Sequence, residues 1–213
     1  MKDYICTSIG EVSYIECLQL TASLPMVELR LDLLSLDPEK IETLALRCRR
    51  WVATCREGKY TERERTVQLS AAIRAGATYV DIEYEAGDEY REPLATLAKK
   101  FGTQVILSFH DFEKTPDTPD MLHIIEQALK KGADWVKLAV TARSAADAAR
   151  IMSLYERHHR LIAFGMGDAG KITRIAAPFL GAPFTFAATD KAHATAPGQL
   201  STTRMNGIFD LIA

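Results

Sequence analysis

The chain has 213 residues, of which 47% are hydrophobic and 25% charged, and a formal net charge of -2. This profile excludes a disordered or low-complexity chain and fits one globular domain, residues 1–213, able to bury a large core. The near-neutral balance gives no electrostatic case for nucleic acid or an anionic membrane surface as partner, and no apolar stretch is long enough to span a bilayer.

The first β-rich run, residues 4–9, follows the opening Met1-Lys2-Asp3 directly, with no charged-apolar-small export signal. The second, 27–31, leads to a helix opened by Asp37 before Pro38. After the third, 51–55, Thr61 with Glu64 three residues on spells a capping box, and Ala75-Gly76-Ala77 ends that helix. The fourth run, 79–83, precedes a helix stopped by Phe101-Gly102-Thr103. The fifth, 104–109, precedes a helix capped by Thr118 before Pro119 and stopped by Lys131-Gly132-Ala133. The sixth, 135–140, is followed by Ser144 with Asp147, and the seventh and eighth lie at 161–164 and 184–188.

Eight strand-helix units without a long linker predict a parallel sheet, and eight is the number that closes into a (β/α)8 TIM barrel of about 200 residues or more. An open doubly wound sheet is the alternative, because periodicity does not show closure. The cysteines Cys6, Cys17, Cys48 and Cys55 form no C-x-x-C pair, and with five scattered histidines they give no metal-ligand spacing. Reduced thiols in a cytoplasm, and no metal, are expected. Arg47, Arg49 and Arg50 read as a solvated helix end.

In a barrel the chemistry lies at the carboxyl ends of the strands, and residues two apart share a face. The unusual polar residues follow that register: Glu28, Arg30 and Asp32; Thr54 and Arg56; Asp81 and Glu83; Ser108 and His110; Lys137. Glu28, Asp32, Asp81 and Glu83 are equally consistent with an ionic network that only fixes the fold. Lys137 is different, because it interrupts the apolar run Trp135-Val136-Lys137-Leu138-Ala139-Val140. Burial disfavours the ammonium form, so an amine placed this way can attack a ketone or aldehyde and form an imine, and His110 would supply the base that imine chemistry needs. His123, His158 and His159 fall on predicted helices and His193 on a loop, and none is a strong candidate.

Gly165-Met166-Gly167-Asp168-Ala169-Gly170 has the form of a dinucleotide fingerprint with Asp190 about twenty residues on, but it sits at the seventh strand, too late for a second mononucleotide half. Ile172 also stands where a P-loop needs Ser or Thr. A tight turn at the top of the seventh strand, with Arg174 able to hold a carboxylate or phosphate, is the simpler account. Residues 190–199, Asp190-Lys191-Ala192-His193-Ala194-Thr195-Ala196-Pro197-Gly198-Gln199, read as a lid hinged by Pro-Gly, against an ordinary surface loop.

Taken together, Glu28-Leu29-Arg30-Leu31-Asp32, Ser108-Phe109-His110-Asp111-Phe112 with Lys114-Thr115-Pro116, Val136-Lys137-Leu138-Ala139, Met166 through Arg174 and Ala196-Pro197-Gly198-Gln199 resemble the type I 3-dehydroquinate dehydratases of the shikimate pathway, over nearly the whole chain. The resemblance implies a hydro-lyase that needs no cofactor and works through a covalent imine on Lys137, with His110 as general acid and base and Glu57 orienting His110. It further implies that Arg174 clamps the substrate carboxylate, while Glu28, Arg30, Arg56, Met166, Thr195 and Gln199 line the substrate. Near the end of the first strand Thr7 is assigned to the site, with Ser8 the alternative that strand register leaves open. A homodimer is implied by analogy. This chain departs from the family in its contracted Arg56-Glu57-Gly58-Lys59 segment, where the arginine and glutamate usually lie several residues apart and two glycines follow. Thr195 stands where serine is usual, and the start of the chain leaves no room for the N-terminal hairpin plug of longer members. Competing readings are a class I aldolase or transaldolase acting on a sugar phosphate, an inactive barrel kept for ligand binding, and a nucleotide-binding protein.

Overall fold

The computed structural model describes residues 4–190 and 198–212. Its strands are β1 (Ile5–Ile9), β2 (Val27–Arg30), β3 (Trp51–Thr54), β4 (Tyr79–Glu83), β5 (Gln104–Asp111), β6 (Trp135–Thr141), β7 (Leu161–Met166) and β8 (Thr185–Ala188). Between and after them run α1 (Tyr14–Ser23), α2 (Leu31–Leu34), α3 (Pro38–Ala45), α4 (Glu62–Arg74), α5 (Asp88–Phe101), α6 (Thr118–Lys130), α7 (Ala145–Ser153), α8 (Lys171–Ala176) and α9 (Thr202–Ile212). The strands join one sheet in the order β7-β6-β5-β4-β3-β2-β1-β8, so sequence neighbours pair and the last strand lies beside the first. This is the (β/α)8 architecture, and the open doubly wound order does not occur.

The chain divides into two compact units, Cys6–Ile106 and, with the start of β1, Leu107 onward. In the first, parallel register pairs Ser8 with Glu28, Arg30 with Thr54, and Thr54 with Asp81, which lines these side chains along one face. Leu29, Ala53, Val80 and Ile82 alternate to the other face and are fully buried. The helix signals hold: Asp37 accepts from the Lys40 amide, the Thr61–Glu64 capping box is closed in both directions, and Gly76 and Gly102 take the left-handed φ of 87° and 75° that ends α4 and α5.

In the second unit β6 and β7 pair Lys137 with Ile162, Ala139 with Phe164, and Thr141 with Met166. The opposite face presents Val136, Leu138 and Ala163, all buried. Helix α9 closes this unit by packing Met205 and Phe209 on Ile5 and Ala187; each such side chain contributes about 1.5–3 kcal/mol on full burial.

Three details differ from expectation. The second strand stops at Arg30, and Asp32 falls in the helical turn α2, which ends at Ser35 in the left-handed region. The cap of α6 is Asp117, with extended backbone, so Thr118 is already the first helical residue. Strand β5 runs on to Asp111, which carries His110 inside the strand.

Candidate active site

Lys137 is 4% exposed, and its Nζ lies 4.2 Å from the centroid of the Phe186 ring. Phe186 packs on Phe164 at 5.8 Å, and the Arg174 guanidinium lies 4.3 Å over Phe164. Two touching rings therefore carry an amine on one and a guanidinium on the other. Arg174 is fully buried, and its Nε and one Nη have no hydrogen-bond acceptor among the described residues. Burial pulls its pKa down to about 10. The planar fork of a guanidinium matches the geometry of a carboxylate.

His110 lies on β5, the strand next to β6, and its ring stacks on Phe112 at 6.0 Å with 12° between the planes. The segment after it is tied to the end of β6: Thr115 Oγ1 donates to the Thr141 carbonyl at 2.9 Å, and Thr141 Oγ1 donates to the Asp111 carbonyl at 3.1 Å. Asp111 Oδ1 accepts from the amides of Glu113 and Lys114 at 2.8 and 2.9 Å, which closes the turn. His110 and Lys137 thus sit on adjacent strands tied together by hydrogen bonds.

The glycine motif after β7 is structural. A Cβ on Gly170 would meet the Gly165 Cα at 2.7 Å, so the two backbones touch, and Thr173 Oγ1 accepts from the Gly165 amide while donating to the Gly170 carbonyl. The turn delivers Met166, 1% exposed, and Arg174 to the end of β7. Gly198, at φ 74°, lies so close to Gly167 that a Cβ would meet its carbonyl carbon at 2.8 Å, which brings Gln199 to the same strand end. Thr195 and the greater part of the expected lid, 191–197, lie outside the described residues.

The first unit holds a dense polar network. Glu28, nearly fully buried, accepts from Ser8 Oγ at 2.6 Å and from Thr54 Oγ1 at 2.8 Å. Ser8 rather than Thr7 therefore joins Glu28, and strand alternation turns Thr7, one residue earlier, to the opposite face; this corrects the assignment of Thr7. Arg30 forks onto Asp32 at 3.0 and 2.6 Å. Burial works against the charged Arg30, but the Asp32 hydrogen bond and the nearby Glu28 and Asp32 charges outweigh it and raise its pKa. Arg56 donates to Asp81 at 2.7 Å and lies 3.7 Å from Glu83; burial again opposes, and the Asp81 and Glu83 charges raise its pKa strongly.

Glu57 departs from expectation. Its side chain is 83% exposed and its Oε1 pairs with Arg65 at 3.3 Å, so its carboxylate is committed to α4. The contraction of the segment is the physical reason: Arg56 and Glu57 are adjacent, Arg56 turns inward, and its neighbour projects outward. His123 is exposed on α6, whereas His158, half-buried, and His159, exposed, lie in the segment before β7 and not on a helix as expected. Sequence reasoning missed Phe164, Phe186 and Arg65. Both phenylalanines sit in strand register, but a core reading absorbs them, and Arg65 looks like any helical surface arginine. Among the described residues no cluster of three or more His, Cys, Asp or Glu could hold a metal ion, and no helix is long and apolar enough to cross a membrane.

The fold is a (β/α)8 barrel that carries a buried lysine on β6, a histidine on β5 and a buried arginine after β7. The model of the Type I 3-dehydroquinase family matches residues 6–213, and the chain belongs to that family. It is 37% identical over 219 aligned positions to the 3-dehydroquinate dehydratase of Desulfotalea psychrophila, covering 96% of each chain. With that of Pyrococcus abyssi it shares 35% identity, covering 90% of this chain and 89% of the relative. Its fold matches the crystal structure of Type I 3-dehydroquinate dehydratase from Clostridium difficile with covalently modified comenic acid, at a TM-score of 0.84 and 23% identity over 99% of this chain and 92% of that one.

Proposed function

We propose that this chain, acting as one catalytic domain over residues 1–213, is a 3-dehydroquinate dehydratase that eliminates water from 3-dehydroquinate to give 3-dehydroshikimate in the shikimate pathway. The observation that carries this reading is the buried Lys137 amine on Phe186, one ring away from the buried Arg174 guanidinium, whose Nε and one Nη have no acceptor among the described residues. That pair supplies a nucleophile for the substrate ketone and a clamp for its carboxylate, and family membership supports the substrate.

Lys137 Nζ in its free-base form attacks the C3 carbonyl carbon, and loss of that oxygen as water leaves an imine, an electron sink that acidifies the neighbouring C2 proton. His110 removes the proton, giving an enamine. The enamine then expels the C1 hydroxyl, which leaves as water with the proton His110 has just taken. Hydrolysis of the product imine returns the amine. No cofactor enters this sequence.

Arg174 orients the substrate through its carboxylate, and Met166 and Gln199 line the end of β7. Glu28, Arg30 and Arg56 bind hydroxyl groups from a preformed network, with Ser8 as the Glu28 partner, and the family resemblance gives Thr195 a hydroxyl-binding role as well. Glu57, exposed and paired with Arg65, is given no part at His110. A cytoplasmic homodimer is the working assembly. The test is borohydride reduction in the presence of dehydroquinate: a reduced adduct is expected on Lys137, and Lys137→Met should lose both adduct and turnover. Wild-type protein that forms no adduct would refute the proposal.

A further inference from the structure

Arg174 leaves α8 beside Thr173, whose hydroxyl is clamped between the Gly165 amide at 2.7 Å and the Gly170 carbonyl at 2.6 Å. That clamp ties the backbone at the base of the arginine to the strand residue next to Phe164, but it leaves the far end of a long, rotatable side chain to be fixed by something else. The far end is buried, and its Nε and one Nη have no acceptor among the described residues. What meets it is the Phe164 ring, whose centroid lies 4.3 Å from the guanidinium carbon. Phe164 is itself braced. Its ring packs on Phe186 at 5.8 Å with 55° between the planes, and Phe186 meets Phe184 edge-on at 5.4 Å and 77°.

We infer that Phe164 is a positioning residue for substrate binding: its ring face holds the Arg174 guanidinium in the pose that receives the substrate carboxylate. The inference rests on the dehydratase reading, because it takes Arg174 to meet that carboxylate. The physical argument concerns which kind of partner leaves the donors usable. A carboxylate of the protein would fix the cation but consume its N–H groups, as Asp32 does with the Nε and one Nη of Arg30 at 3.0 and 2.6 Å. An aromatic face attracts the cation through the ring quadrupole and needs no N–H to do so. The contact therefore orients the fork without occupying it, and it persists when the carboxylate arrives. Without the ring, substrate would have to order the side chain on binding, which weakens affinity by about two- to tenfold for one such side chain.

The experiment measures kcat and KM on dehydroquinate for the parent, Phe164→Leu, protein carrying a ring-trifluorinated phenylalanine at position 164, Arg174→Met and the Phe164→Leu/Arg174→Met double variant, with borohydride trapping on each. Phe164→Leu should raise KM about fivefold, with a smaller change in kcat and the Lys137 adduct retained at saturating substrate. Fluorination draws electron density from the ring face at nearly constant shape, so it should raise KM more than twofold. The double variant should have a kcat/KM no lower than that of Arg174→Met, because the ring acts through the guanidinium and has nothing to orient once it is gone. A purely structural Phe164 would lower Tm while leaving KM within twofold of the parent, and that result overturns the inference. So does a leucine effect on KM that fluorination fails to reproduce, since it would trace to volume, or a Phe164→Leu effect that persists in full beside Arg174→Met. Should Phe164→Leu fail to fold, the fluorinated protein with parental KM overturns it equally. A parent that forms no adduct removes the dehydratase reading and this inference with it, whereas adduct with parental KM in the fluorinated protein removes this inference alone.

Discussion

Replacing Arg174 with methionine should stabilise the free protein and cripple it as an enzyme. Lowering a guanidinium from its ordinary 12.5 to about 10 by burial corresponds to a penalty of about 3 kcal/mol at ~1.4 kcal/mol per unit. Methionine fills the stem volume but gives up the cation–π contact with Phe164, worth about 1–2 kcal/mol when desolvated. The net gain is about 1–2 kcal/mol, or a rise in Tm of about 3–6 °C for a domain of this size. Because the folded value lies below the unfolded one, the penalty is complete below about pH 10 and fades only as pH rises toward 12.5. The gain in Tm should therefore be constant between about pH 6 and 9. Loss of the carboxylate clamp costs about 2–4 kcal/mol of substrate binding, a fall in kcat/KM from about 30-fold to several hundred-fold. Differential scanning calorimetry without ligand and steady-state kinetics read the two effects separately. A variant that melts below the parent, or keeps its kcat/KM, would show that Arg174 is satisfied within the fold and is not an anion site.

Removing the Ser8 hydroxyl in Ser8→Ala leaves Glu28 Oε2 without that donor, so Tm should fall by an amount equivalent to about 1–3 kcal/mol and KM should rise; parental values would place Ser8 outside the network. Gly198→Ala must fit a Cβ against the Gly167 backbone at a left-handed φ, and it should lose at least about tenfold in kcat/KM, the loss of well over 1 kcal/mol that a left-handed alanine and the clash together imply. An alanine variant with full activity would refute the close approach. Burial pushes the thiols of Cys17, Cys48 and Cys55 up to about 12, helped by neighbouring negative charge. Their stabilising share is complete below the ordinary 9.0 and is lost as pH rises from there through 12, so the urea midpoint should decline across that window. Native protein at pH 8 should accordingly react slowly with a disulfide reagent, and rapid labelling would contradict the burial.

The sequence alone determined the alternation of strands and helices, because caps, glycine stops and two-residue periodicity are local: the Thr61–Glu64 box and Gly76, Gly102 and Gly132 mark helix ends wherever the chain goes. It also exposed Lys137, since a charge in an apolar strand conflicts with its own neighbours, and it placed His110 on the strand before. What it could not decide are the matters that depend on which residues meet across strands. The choice of Ser8 over Thr7 rests on the register of β1 with β2, because one step along a strand reverses the face. The pairing of Glu57 with Arg65 depends on a helix residue eight positions away folding back over a shortened segment. The aromatic bridge of Phe164 and Phe186 between Lys137 and Arg174 joins three chain segments, and the idle Arg174 donors emerge only once every described neighbour has been placed around them. Local propensity reads out in one dimension, whereas burial, pairing and an unfilled hydrogen bond are properties of the assembled interior.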